Sequence, residues 1–155
     1  MRWWFSETTW NNYGEPSRIQ AIEPAINKWG VDLRYEWALQ WQNVSDGSGS
    51  LEDSPAWRIW SGTEWFDTGH SQLLEPDCWH DLILHGDLID GMVHYIEMIC
   101  DDTIIPLGQS FAPVATVGND DLVVTLQLGG NYAQDAYECL FDDLTLSWWN
   151  RTSPW

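Results

Sequence analysis

Between residues 32 and 42 the chain alternates: Leu33, Tyr35, Trp37, Leu39 and Trp41 fall on one face, and Asp32, Arg34, Glu36, Gln40 and Gln42 on the other. A period of two sets one face against a core and leaves the other wet, which predicts a strand. Shorter runs at residues 2–10, 56–60, 121–128 and 145–149 predict further strands. Two segments predict helices. Ile19, Ile22, Ile26 and Trp29 recur at steps of three and four and close at Gly30, the pattern of an amphipathic helix with a glycine cap. Pro24 requires that helix either to kink or to begin near Glu23. After Gly129-Gly130, Asn131 is placed to cap a helix reaching about residue 144, with Ala133, Ala136, Tyr137, Leu140 and Leu144 as its buried stripe. From residue 81 to residue 100 two patterns compete. Asp90-Gly91 fits a hairpin turn between apolar runs, while Leu88, Met92, Ile96 and Ile99 fit a helix face; the hairpin is preferred. Residues 43–55, rich in Gly, Ser and Asp, read as a loop within one domain. The order of elements predicts a single α+β domain over residues 1–155, a mostly antiparallel sheet with about two packed helices.

Charge changes the picture more than any other total. From residue 59 to residue 150 there is no Lys or Arg and there are sixteen Asp or Glu, whereas the first 58 residues set eight acids against five bases. Most of the net charge of −18 therefore belongs to the later part of the chain. Such a field favours a basic partner and repels nucleic acid and anionic lipid, so neither nucleic acid nor membrane is an expected partner. With 44% apolar residues the acids decorate a folded body, not a disordered tail. Thirteen Trp supply driving force for that body. The adjacent pairs Trp3-Trp4 and Trp148-Trp149 also send one ring to each face of a strand, so one of each pair is buried on a second face or presented to a partner.

The chemistry-bearing residues do not assemble into a catalytic motif, and no enzyme activity is expected. There is no Gly-rich phosphate loop and no Gly-x-Ser-x-Gly elbow, and the base-free stretch offers no cationic clamp. Cys78 and His80, with His85 nearby, are the best zinc candidates. A closed site needs four ligands, and His70, His94, Cys100 and Cys139 are scattered, so no metal or cofactor is expected. The three cysteines read as free thiols of a reducing compartment, and the N-terminus shows no apolar signal run, which together predict a cytoplasmic protein, in the host cytoplasm if viral.

Acids instead come in groups. Asp135, Glu138 and Asp142 lie on one side of the second predicted helix, Asp142-Asp143 stand at its C-terminus, and Asp101-Asp102 and Asp120-Asp121 adjoin predicted strand ends. Uncompensated acids a turn apart, or at a helix C-terminus, cost stability, which points to use by a partner. Together with Trp148 and Trp149 as anchors, these acids form the expected partner-binding set. In this general character the chain resembles the acidic, nucleic-acid-mimicking inhibitors that viruses direct against restriction or CRISPR enzymes. The expectation is an inhibitor of a basic protein, blocking its DNA- or RNA-binding groove. The alternatives are an immunity protein neutralising a basic nuclease toxin, a Trp-rich carbohydrate-binding module, and a protein whose acidity reflects a high-salt proteome.

Overall fold

The computed structural model describes residues 1–6, 19–43, 55–130 and 138–148. Their regular elements are all strands: β1 (Arg2–Phe5), β2 (Ile19–Trp29), β3 (Leu33–Gln42), β4 (Ala56–Trp60), β5 (Trp65–Ser71), β6 (Trp79–Ile89), β7 (Met92–Cys100), β8 (Thr103–Phe111), β9 (Val114–Ala115), β10 (Leu122–Gly130) and β11 (Cys139–Asp142). They form two antiparallel sheets. One has the order β11-β1-β6-β7-β8; the other has the order β10-β2-β3-β4-β5, with β9 added beside β3. The fold is therefore all-β, and the α+β expectation with two packed helices is overturned.

The predicted first helix is β2. Paired on both sides, with β10 and β3, it buries Ile22 toward the five-stranded sheet and Ala21, Ala25 and Asn27 on the opposite face. A strand covered on both faces loses its period-two signature, and the spacing of its isoleucines then imitates a helix. Pro24 is accommodated because the β2–β3 pairs pass from Ile22↔Trp41 to Ala25↔Ala38, over Glu23 and Pro24. The predicted second helix fails in the same way over its described part. Residues 139–142 are β11, with Cys139 and Phe141 half-buried and Leu140 and Asp142 exposed; residues 131–137 lie outside the described residues. The predicted strand at 145–149 is irregular over 145–148. The strands expected at 32–42, 56–60 and 121–128 are present as β3, β4 and β10, and the one expected at 2–10 is present over Arg2–Phe5; residues 7–10 and most of the expected loop, 44–54, lie outside the described residues. The hairpin at Asp90-Gly91 is also present, with φ of 52° and 74°. Those left-handed values suit a tight turn that matches the twist of its strands.

The core lies between the sheets. Trp37, Leu39 and Trp41 of β3 and Trp57 and Ile59 of β4 meet Trp3 and Phe5 of β1, Val93, Tyr95 and Met98 of β7, and Ile105 and Leu107 of β8. Rings this large bury on the order of 150–250 Å² each and dominate the driving force of a small sandwich. The fit is close at Gly86, where an added Cβ would stand 2.5 Å from the Trp37 ring. There the backbone itself forms the wall, and the Trp37 indole donates to the His94 carbonyl at 3.1 Å.

One side chain completes the sheet ladder. β3 pairs with β9 at Leu33 and Arg34 and with β4 from Leu39 onward, which leaves a gap along its edge. The Tyr95 hydroxyl fills it, accepting from the Ala38 N–H at 2.8 Å and donating toward the Trp60 carbonyl at 2.9 Å. Burial pushes this phenol's pKa well above the ordinary range, so it stays protonated and able to donate.

Candidate acidic interface

The register of the five-stranded sheet brings together acids that are far apart in sequence. Arg2 of β1 stands between Asp142 of β11 and Asp81 of β6 in one cross-strand row. Its guanidinium is 3.3 Å from Asp81 and 3.9 Å from Asp143, and it lies over the Trp79 ring at 5.3 Å. These are exposed contacts of one cation with several anions, so the row stays negative. Beside it, the turn between β7 and β8 adds Asp101 and Asp102. The Asp101 N–H donates to the Asp81 carbonyl at 2.8 Å, and Asp101 itself takes a left-handed φ of 52°, which a short polar side chain tolerates. Asp77, whose N–H donates to the Phe5 carbonyl at 2.8 Å, and Glu138, whose carbonyl accepts from Ser6 N–H at 3.3 Å, stand at the far end of β1.

The next row outward is apolar. Trp4 pairs with Leu140 on one side and Trp79 on the other; the first is half-buried and the other two are exposed. On the opposite side of the acidic row lie Ile83, Ile99 and Ile104, also in register. The corner is thus a banded surface of indole and aliphatic contact area crossed and edged by carboxylates.

His80 holds this corner in place. Its ring is buried beside Trp3 and Phe5, at centroid distances of 5.4 and 5.7 Å. Nε2 lies 2.7 Å from the Glu75 carbonyl and Nδ1 lies 3.0 Å from an Asp101 carboxylate oxygen, while the other Asp101 oxygen accepts from Asp81 N–H at 2.9 Å. Asp101 is consequently occupied within the fold, and Asp102 is the member of that pair left to face outward. Asp101→Ala is expected to destabilise the protein by about 1–3 kcal/mol, because a buried ring nitrogen and a backbone N–H lose their acceptor and the left-handed φ loses a tolerant residue. Asp101→Asn, which keeps an acceptor and the backbone preference, should cost less; urea unfolding of the two variants measures the difference.

Cys78, His80 and Asp101 also stand in the order of a nucleophile, a base and an orienting acid, with Sγ 3.6 Å from Nε2. The geometry does not activate the thiol. A carbonyl only accepts, so Nε2 carries a proton directed at Glu75 and cannot take one from Cys78. The Cys78 pKa is raised, first by desolvation and then by the charges of Asp101, Glu75 and Asp77. Burial likewise pushes Cys100 and Cys139 up to about 12. Of the zinc candidates, Cys78 and His80 converge, but His85 lies with Glu97 at 2.8 Å, and among the described residues no three ligands form a metal group.

The expected partner-binding residues therefore divide. Asp101, Asp102, Asp142 and Asp143 gather at this corner, and Glu138 stands at its margin. Asp120 and Asp121 do not join them. They immediately precede β10 beside the end of β2, where Asp120 is paired with Lys28 and the Asp121 carbonyl accepts from Trp29 N–H at 2.8 Å. That place adjoins the first residues of β3, whereas Trp41 near the other end of β3 packs on Trp3 and Phe5. The separation is on the order of 20 Å at the rise of a strand. Trp148 is exposed and packs edge-on against Trp37, while Asp135 and Trp149 lie outside the described residues. The helical spacing of Glu138 and Asp142 carries no meaning here: Asp142 ends β11, whereas Glu138 precedes its first residue, and both are exposed. Trp4 is the half-buried ring of the Trp3-Trp4 pair whose other ring is in the core, as the alternation of a strand requires, whereas Asp81 and Trp79 enter the site through register alone. Their sequence signal was the alternation of Trp79, Asp81 and Ile83 with buried His80 and Leu82.

The other sheet adds little to this field. On its outer face Arg34 pairs with Glu36 at 3.0 Å and lies over the Trp29 ring at 5.5 Å. The Glu36 carboxyl is pushed up by burial, against the opposing pull of Arg34. Among the described residues no helix is long and apolar enough to cross a membrane. Comparison with family models, with curated proteins and with solved structures gives no match to this chain, so its functional reading rests on the banded acidic corner.

Proposed function

We propose that the chain is a non-catalytic binding protein that docks a basic protein surface through the corner of its five-stranded sheet. The observation that carries this is the pair of adjacent rows, Asp142–Arg2–Asp81 and Leu140–Trp4–Trp79. The indoles offer anchor area of the kind that dominates binding energy, and the surrounding carboxylates direct encounter and reject acidic partners. A nucleic-acid-binding groove is the natural counterpart, because it presents Lys and Arg spaced for phosphates and flat surfaces that accept rings. Occupying such a groove makes the chain an inhibitor of a nucleic-acid-binding enzyme or complex.

The test is capture of partners from a cell extract on the immobilised chain, compared with a variant carrying Asp81→Asn, Asp102→Asn, Asp142→Asn and Asp143→Asn. The expected result is a basic protein retained by the wild type, released by added DNA or RNA, and bound on the order of tenfold or more weakly as salt rises from about 50 to about 200 mM. The four-site variant should lose it. Equal retention by the variant, or undiminished binding when the partner's nucleic acid is already in place, removes the proposal.

A further inference from the structure

Among the described residues four strands end the two sheets, apart from the two-residue β9, and three of them are guarded against pairing with another chain. β5 carries Asp67 and a left-handed Gly69, with a register shift against β4. β8 contains Pro106 and a left-handed Gly108, with a register shift against β7. β11 has four residues and runs into Asp142-Asp143. Charge, proline, bulges and brevity are the devices that keep sheet edges from recruiting strands.

β10 has none of these along its first seven residues. Its sequence, Leu-Val-Val-Thr-Leu-Gln-Leu-Gly-Gly, contains no charge and no proline, and its only irregularity is at the terminal Gly129/Gly130 step. Among the described residues it pairs with β2 alone. Both of its faces are open: Leu122 and Leu126, on the side facing the core, are 42% and 39% exposed, and Val123 on the other side is 39% exposed. On the core side the row Val124–Ile26 leads to the buried Trp37, against which the exposed Trp148 packs. A nine-residue uncharged edge with apolar side chains on both faces is unusual in a chain of net charge −18.

We infer that β10 is a dimerisation edge that pairs antiparallel with β10 of a second copy of this chain. Self-pairing needs a strand compatible with its own reversal, and β10 is one. A register centred on Thr125 sets Leu126 of one copy opposite Val124 of the other, and Leu122 opposite Leu128, so the core-side apolar rows run on across the two-fold axis. The charge distribution selects the same occupant. The strand itself is neutral; Glu23 of β2, in register with Gln127, is occupied by the Gln40 amide at 2.6 Å, and Asp120 and Asp121 precede the first residue of β10, so two antiparallel copies hold that pair at opposite corners, about 30 Å apart along the strand. Asp120 is in addition compensated by Lys28.

The inference is independent of docking to a basic partner, and salt separates the two. Copies that each carry −18 repel one another, so dimerisation should strengthen as salt rises, whereas binding to a cationic surface should weaken. Sedimentation equilibrium across a range of protein and salt concentrations should show the mass doubling with concentration, at lower concentration in higher salt. Thr125→Lys places two like charges opposite each other at the axis and should hold the chain monomeric under those conditions, with unchanged circular dichroism. Ile104→Lys, on the exposed face of the other sheet, should leave the dimer intact. Should Thr125→Lys fail to fold, Gln127→Lys, exposed on the same face of β10, reads the same edge. A wild type that is monomeric throughout, or a dimer that survives the lysine in β10, overturns the inference.

Discussion

Trp41→Ala should cost about 3–5 kcal/mol of folding stability, the range for removing a large buried ring. Trp41 is fully buried and packs on Trp3 and Phe5 at centroid distances of 5.7 and 5.9 Å, so it joins β3 to β1 across the two sheets. Its indole also donates to the Gln72 carbonyl at 3.0 Å, and that acceptor loses its partner with the ring. A cavity at this junction cannot collapse easily, because the surrounding rings are themselves held by the strand ladders. Since a domain of this size has only about 5–15 kcal/mol in total, the variant should retain a fraction of that, with a midpoint lowered by about 10 °C or more in thermal unfolding. Trp79→Ala, at an exposed position, should leave the midpoint nearly unchanged and instead weaken capture of a basic partner. Equal destabilisation by the two substitutions would contradict this assignment of inside and outside.

Tyr95→Phe is the second large effect expected, at about 1–3 kcal/mol for loss of one oxygen atom. The ring contacts survive the substitution. What is lost is the group that bridges the break in pairing along β3, leaving the buried Ala38 N–H without an acceptor and the Trp60 carbonyl without its donor. Because the phenol remains protonated across the accessible pH range, the difference between wild type and variant should be the same at pH 6 and pH 9. Urea titrations at the two pH values check both the size and the flatness. A cost near zero would mean that water replaces the hydroxyl and that the gap is not dry.

Much of the sheet was legible because most strands bury one face only. β3 alternates in residue type along nearly its whole length and was legible for that, although Gln40 on the face expected to be wet is buried, as is Ala38; Asp90-Gly91 announces its turn by residue type. β2 was misread for a physical reason, since a strand buried on both faces spreads its apolar residues beyond any period of two. β11 was misread because four residues are too few to set a period against an acidic, alanine-containing context that suits a helix. The site was legible in kind and not in place. Uncompensated acids could be counted along the chain, but the row that joins Asp142, Arg2 and Asp81 exists only once residues 2, 81 and 142 are in register. Asp81 stood alone in sequence and drew no notice, whereas the conspicuous pair Asp120-Asp121 went to the other sheet. His80 looked like half of a metal site and is instead a buried brace between Glu75 and Asp101.

The division of charge between the two sheets has an electrical consequence. Lys28, Arg34 and Arg58 all belong to the sheet of β2, β3 and β4, while the densest carboxylates sit on the corner made by β1, β6 and β11. Counted with Arg2 at the corner and with Glu23, Glu36 and Asp67 on the other sheet, the described part of the molecule is still an unevenly charged anion. In the field of a cationic surface it feels a torque before it feels a contact, and it arrives with Trp79 and Asp81 already turned forward.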